Sequence, residues 1–201
     1  MIDVIVLFEG YASTSDNGKV MKANCTCTLI KGPEYNIIID TMTPWDKDKL
    51  LLKLQKEHHL TPEDINYVIS THGHSDHVGN NNLFLKAIHI VGQSVSKGDE
   101  YYLDAFQDGK YDLNEHVQVF HTPGHTLDHV SVRVKTTKGL FVVAGDLFER
   151  QEDLFDEQIW KDAGSENAEM QAQSRKLVLT EADFIIPGHG PMFSNDIVRS
   201  K

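Results

Sequence analysis

Cysteine is scarce in this chain: there are two, Cys25 and Cys27, in 201 residues. Two thiols make no disulfide framework, and residues two apart in a strand point to the same side of a sheet, where a bridge between them is strained. Both are read as reduced thiols, which places the chain in a reducing compartment, cytoplasm or nucleus. Long apolar runs are absent too, so no membrane partner is expected. The apolar stretch Ile2 to Leu7 has no basic leader before it and reads as a first strand, not a secretory signal. Cations are in the minority, 19 Lys and Arg against 30 Asp and Glu, for a formal net charge of -11. That balance disfavours extended wrapping of nucleic acid, although a metal centre can supply positive charge at a single phosphate. Neither a glycine- or proline-rich linker nor an internal repeat divides the sequence, so residues 1–201 read as one domain.

Histidine is abundant, with 11 copies. Four candidate ligands crowd one loop, Ser70-Thr71-His72-Gly73-His74-Ser75-Asp76-His77, directly after the apolar run Tyr67-Val68-Ile69. Three more follow at wide spacing: His125, Asp146 and His189. Each ends or follows its own apolar run and has a glycine beside it. Strand ends joined by short glycine-containing turns can bring such side chains together from different directions, as a preformed metal site requires. Five imidazoles and two carboxylates suit a pair of borderline divalent ions. Zinc fits the histidine-rich set, and iron or manganese can occupy similar nitrogen-and-oxygen sites. Such ions lower the pKa of water and polarise the oxygen under attack, so a two-metal hydrolase is expected and no serine or cysteine nucleophile is needed.

Apolar periodicity predicts strands near Ile2–Phe8, Cys25–Ile30, Tyr35–Ile39, Asn66–Ser70, Ala87–Val91, Val117–His121, Val130–Thr136, Gly139–Val143 and Phe184–Ile186. Tyr11 to Met21 reads as a loop or hairpin. Helices are predicted over Asp46–His58, over Val78–Leu85 beginning under the metal loop, within Gly92–Asn114, and over Glu166–Glu181 with Met170, Leu177 and Val178 inward. Thr61-Pro62-Glu63-Asp64 carries the chemistry of a helix cap. Strands with hairpins and interspersed helices fit an α/β sandwich of two sheets covered by helices.

The ordered motifs resemble the metallo-beta-lactamase superfamily: His72, His74, Asp76 and His77 in a histidine-x-histidine-x-aspartate-histidine run, then Gly124-His125, Gly145-Asp146 and Gly188-His189. The resemblance spans nearly the whole chain and implies a four-layer αβ/βα sandwich with the metals at the edge between the sheets. It further implies that His72, His74 and His125 hold one ion, that Asp76, His77 and His189 hold the other, and that Asp146 bridges them. Asp76 and Asp146 are then the catalytic carboxylates, and Asp40 supports the histidine loop from behind. His129, Glu149 and Tyr11 are candidates for a general acid.

A more specific set, including Asn24 to Leu29, Phe148-Glu149-Arg150 and Gln173 to Lys176, resembles one member of the superfamily whose overall plan is similar to the glyoxalase II branch. That resemblance implies an endoribonuclease acting on single-stranded RNA, in 3'-end processing of histone pre-mRNA. Tyr11, Trp45, Tyr101, Tyr102 and Phe106 could stack on bases where exposed, or pack in the core. Twelve residues follow His189 (201 less 189), too few for the C-terminal domain with which glyoxalase II enzymes grip a glutathione thioester. A small thioester or lactone hydrolase is the alternative. A non-catalytic metal-binding module sits badly with a complete ligand set. A homodimer that completes the pocket with partner residues is compatible with the sequence.

Overall fold

The computed structural model describes residues 2–15 and 17–196. Strand β1 (Asp3–Phe8) leads into a hairpin of β2 (Tyr11–Thr14) and β3 (Met21–Asn24), then β4 (Cys27–Lys31) and β5 (Asn36–Ile39). Helix α1 (Lys47–His58), β6 (Tyr67–Ser70), the single turn α2 (Ser75–Val78), β7 (Ile88–Val91), β8 (Ser94–Lys97) and β9 (Glu100–Tyr101) follow. The second half carries β10 (Lys110–Asp112), β11 (Val117–His121), β12 (Val130–Thr136), β13 (Gly139–Gly145), α3 (Glu157–Asp162), α4 (Ala168–Glu181), β14 (Phe184–Pro187) and β15 (Phe193–Ser194). Among the described residues one sheet has seven strands in the order β1-β4-β5-β6-β7-β8-β9. The other has six in the order β10-β11-β12-β13-β14-β15.

Strand side chains alternate between two environments, as a period of two requires. Ile37, Ile39, Ile69 and Ile90 of the first sheet meet Val119, Val132, Val143 and Ile186 of the second in the centre of the sandwich. Their neighbours Ile38 and Val68 face outward onto Leu50 and Leu54 of α1. On the other side Val142 and Ile185 face Val178 of α4. The layers are therefore helix, sheet, sheet, helix, as expected. Cys25 and Cys27 are free and buried on the α1 side, where burial raises both thiols well above their ordinary range.

The pairing of strands explains where chemistry can gather. Strands β5, β6 and β7 run parallel. In the other sheet β13 and β14 run parallel, and β11 shares their direction because β12 is antiparallel to both β11 and β13. The loops after β5, β6, β11, β13 and β14 thus leave from one edge of the sandwich. Two backbone bonds join the sheets there, Val130 N to Thr71 O at 2.8 Å and Thr26 N to Gly188 O at 2.6 Å.

Three predicted features are corrected. The chain over Val78–Leu85 is no helix: α2 ends at Val78, and only a 3-10 turn, Asn81–Leu83, follows. Gly79 is pressed against Met42 and Pro44, and the Asn80 side chain donates to the carbonyls of Thr41 and Thr43 (both 2.7 Å), so tertiary contacts hold this backbone outside a helix. The helix expected within Gly92–Asn114 is replaced by the short strands β8, β9 and β10, which extend or begin the sheet edges. Helix α4 forms where predicted, but it turns Gln171, Ser174, Arg175 and Val178 inward, and Leu177 is exposed. The Thr61–Asp64 cap is present, with the Asp64 carboxylate accepting from Thr61 N at 2.8 Å.

Candidate metal centre

Each predicted ligand leaves a strand end at the shared edge. His72, His74, Asp76 and His77 follow β6, His125 follows β11, Asp146 follows β13 and His189 follows β14. Backbone geometry enforces the loops at two glycines. Gly124, beside His125, has φ +147° and abuts the Gln171 backbone, where no side chain fits. Gly188 lies so close to the Asp146 carboxylate that a Cβ would displace it.

Two clusters form. In the first, His72 Nε2 and His74 Nδ1 are 2.8 Å apart, and His125 Nε2 lies 3.1 Å from His74 Nδ1 and 3.3 Å from Asp146 Oδ2. In the second, His77 Nε2 lies 3.2 Å from Asp146 Oδ1, and His189 Nε2 lies 3.2 Å from Asp146 Oδ2 and 3.8 Å from Asp76 Oδ2. Ligands around a tetrahedral ion with bonds near 2.1 Å are separated by about 3.4 Å, which these distances bracket. Asp146 reaches both clusters: Oδ2 lies near His125 Nε2 (3.3 Å) and His189 Nε2 (3.2 Å), and Oδ1 near His77 Nε2 (3.2 Å). His74 is exposed and Asp76 half-buried, whereas the other five are buried, so the cluster opens to solvent on the His74 side.

The donors fit cations better than one another. Asp76 Oδ2, His77 Nε2 and Asp146 Oδ1 are buried without a hydrogen-bond partner. Buried polar atoms are rarely left so, and a positive ion would satisfy all three at once. Burial and the neighbouring His77 hold His72 well below the usual imidazole range, and burial lowers His125 as well. Both are therefore neutral, the form that binds metal. For His77, burial works downward, but the carboxylates of Asp146 and Asp40 outweigh it and raise the group well above its ordinary value. His189 is raised to about 9, burial again being outweighed by Asp146.

A ring of supporting contacts fixes ligand orientation. Asp40 accepts from Thr71 N at 2.8 Å and lies 2.9 Å from His77 Nδ1, leaving Nε2 to face Asp146. The support expected of Asp40 is thus present. His189 Nδ1 donates to Asn24 O at 3.0 Å. Gln171 Nε2 donates to the Asp146 carbonyl at 3.1 Å, and Ser174 Oγ to that of Pro123 at 2.8 Å. Arg175 grips Asp153 through both guanidinium nitrogens (2.7 and 3.1 Å) and the Leu147 carbonyl (2.8 Å), bracing the loop beyond Asp146. These α4 residues, with Asn24 and Thr71, were missed as supports of the site. Asn24, Ser174 and Arg175 fall within the resembling motifs, and the polar run of α4 is the further signal for Gln171.

Of the general-acid candidates, His129 is fully buried, stacked 5.4 Å from His72, and lowered to about 3 by burial and by His125. It holds no acidic proton at neutral pH and acts as packing under the ligand. Glu149 is 3% exposed, and burial and Asp146 raise it to about 8. Tyr11 is exposed on β2, paired across the hairpin with Asn24.

A profile of the metallo-beta-lactamase superfamily matches residues 21–189. The chain belongs to that superfamily. Metallo-beta-lactamase domain-containing protein 1 of Xenopus laevis is 44% identical over 194 residues, covering 94% of this chain and 80% of that protein. An N-acyl homoserine lactonase of Bacillus cereus is 25% identical over 213 residues, covering 88% of this chain and 85% of that one. A B. thuringiensis structure with N-decanoyl-L-homoserine bound at its active site superposes with a TM-score of 0.67 at 22% identity, covering 100% of this chain and 95% of that one. Membership makes the chain a metallo-hydrolase, and its fold implies divalent ions at the His/Asp cluster. No helix among the described residues is long and apolar enough to cross a membrane.

Proposed function

We propose that this metallo-hydrolase is a two-metal endoribonuclease acting on single-stranded RNA, with histone pre-mRNA as the first substrate to try. The observation that carries the reading is the rim of the site. Asn24, whose carbonyl holds His189, pairs with Tyr11 on β2 and donates to Asp46 at 2.7 Å, next to Trp45. Tyr11 is 54% and Trp45 90% exposed. Two unburied aromatic residues, one paired with Asn24 and one next to its partner Asp46, suit unpaired bases, which stack for about 1–3 kcal/mol each. A groove of about 330 Å³ between the β2–β3 hairpin and α3 reaches Glu149; it is lined by one cation, Arg150, and by the carboxylates of Glu149, Asp156 and Asp162, so Arg150 is the one group there that would meet a phosphodiester anion.

In this reading His72, His74 and His125 hold one ion, Asp76, His77 and His189 hold the second, and Asp146 joins them. Bound there, zinc, or iron or manganese, supplies a nucleophile from water at neutral pH and Lewis acidity at the phosphoryl oxygen. Asp76, with its unpartnered oxygen, orients the attacking water by accepting a hydrogen bond. Asp146 keeps the two halves of the site in register, and Asp40 keeps the His77 proton on Nδ1.

Cleavage of 5'-labelled single-stranded RNA by the metal-loaded chain, against a His74→Ala control, tests the proposal. Discrete internal products from the unaltered chain alone are expected. Intact RNA at confirmed occupancy of two ions per chain would refute it. The second reading, a small lactone or thioester hydrolase, is favoured by the lactonase relative and would then be assayed on N-acyl homoserine lactones and thioesters.

A further inference from the structure

Glu149 lies three residues beyond Asp146 and has no place in the seven-residue ligand set. It is nonetheless built into the same site. One carboxylate oxygen of Glu149 and one ligand atom each of Asp146 and His189 lie within 4.8 Å of one another, and all three residues are buried. Glu149 Oε1 has no hydrogen-bond partner, and neither has Asp146 Oδ1. A carboxylate taken out of water with nothing to satisfy it is costly, and a cation is the partner that removes the cost.

The backbone around Glu149 is held from two sides. Its amide donates to Asp153 Oδ2 at 2.7 Å, and that carboxylate is gripped by Arg175. Its carbonyl accepts from the amide of His189 at 2.9 Å, so Glu149 and His189 are tied to each other through the main chain. Two ligands on one ion with bonds near 2.1 Å can stand at most about 4.2 Å apart. The Glu149 oxygen, within 4.8 Å of the ligand atoms of Asp146 and His189, stands close to that limit.

We infer that Glu149 is an additional ligand of the second ion, so that Asp76, Asp146 and Glu149 join His77 and His189 around it. The two sites then differ in kind. Three imidazoles and one carboxylate suit tetrahedral zinc. Two imidazoles with three carboxylates exceed a tetrahedral set and suit a harder ion of higher coordination number, such as Mn2+ or Fe2+. The inference rests on the ligand roles proposed above and is independent of the substrate.

The test is titration of the metal-stripped full chain with Mn2+ and with Zn2+ by calorimetry, for the unaltered protein, Glu149→Gln and Glu149→Asp. Glu149→Gln is expected to lose roughly tenfold or more in Mn2+ affinity at one site, with Zn2+ affinity at the three-histidine site within about twofold. Glu149→Asp, which keeps the charge, is expected to recover part of the loss. Unchanged Mn2+ affinity in Glu149→Gln, or equal weakening of both sites, overturns the inference. If the unaltered chain binds neither ion, the ligand reading itself fails, a result distinct from failure of the Glu149 role. Anomalous diffraction from Mn2+-soaked crystals of the unaltered chain decides the matter without any variant. An ion about 2.2 Å from a Glu149 oxygen supports the assignment, and one beyond about 3 Å overturns it.

Discussion

Asp40→Asn is the most informative single substitution, because it replaces one carboxylate oxygen by an amide nitrogen and tests how the second ion is prepared for. The Asp40 carboxylate accepts from Thr71 N at 2.8 Å and faces His77 Nδ1 at 2.9 Å. An asparagine keeps the shape and can still accept from Thr71 through its oxygen. Its amide nitrogen then faces His77 Nδ1, where two donors cannot meet. The His77 proton must move to Nε2, the atom that faces Asp146 Oδ1 at 3.2 Å and that an ion would need free. Loss of such an orienting partner typically costs 10–100-fold in metal affinity, or about 1.4–2.7 kcal/mol at 1.36 kcal/mol per tenfold. The cost should fall on the site containing His77 and spare the site of His72, His74 and His125. Competition of each loaded ion against a chelator, with bound metal counted by mass spectrometry, reads the two sites separately. If the folded Asp40→Asn chain holds both ions within about twofold of the unaltered affinity, the tautomer argument is wrong.

Two further outcomes follow from the geometry. Arg175→Met leaves the buried Asp153 carboxylate without its partner, so urea unfolding should report a loss of about 3–5 kcal/mol, and a loss below 1 kcal/mol would show the pair to be dispensable. The pH response of the metal-free chain has a definite sign. His189, raised in the folded state to about 9, contributes stability that is whole below its unfolded value near 6.5 and is lost as pH rises through 9. Glu149, raised to about 8, favours the folded state less as pH climbs toward that value, in the same direction. Denaturant midpoints of the metal-free protein should therefore fall from pH 6.5 to 9, and a flat or rising series would refute the charge states.

The gathering of the candidate ligands was legible in the sequence because metal chemistry admits few residue types and because each candidate follows a short apolar run that reads as a strand. Those two constraints point His72, His74, Asp76, His77, His125, Asp146 and His189 to one place, where the structure gathers them. The inward face of α4 was not legible, since hydropathy assumes that helices bury their apolar side. Here Gln171, Ser174 and Arg175 are buried to hold the backbone of the metal loops, and Leu177 is left outside. The helix expected after the histidine loop failed for a related reason. Asn80 donates its side chain to a neighbouring strand-end loop instead of facing solvent, a tertiary demand that no local pattern announces. Strands β8 and β9 are short and polar at the sheet edge, and they lack the alternation that marks a buried strand.

The ligands are drawn from four loops separated by most of the chain, His72 in the first half and His189 near the other end. During synthesis the histidine loop emerges early, yet Asp146 and then His189 must follow before the second cluster can exist. Long-range closures of this sort come late in folding. The nascent chain therefore passes through a stage in which three imidazoles and a carboxylate are presented together with no geometry to select among ions. The site containing His189 cannot be complete until the closing strand β14 has docked, whereas the three-histidine cluster does not depend on that strand.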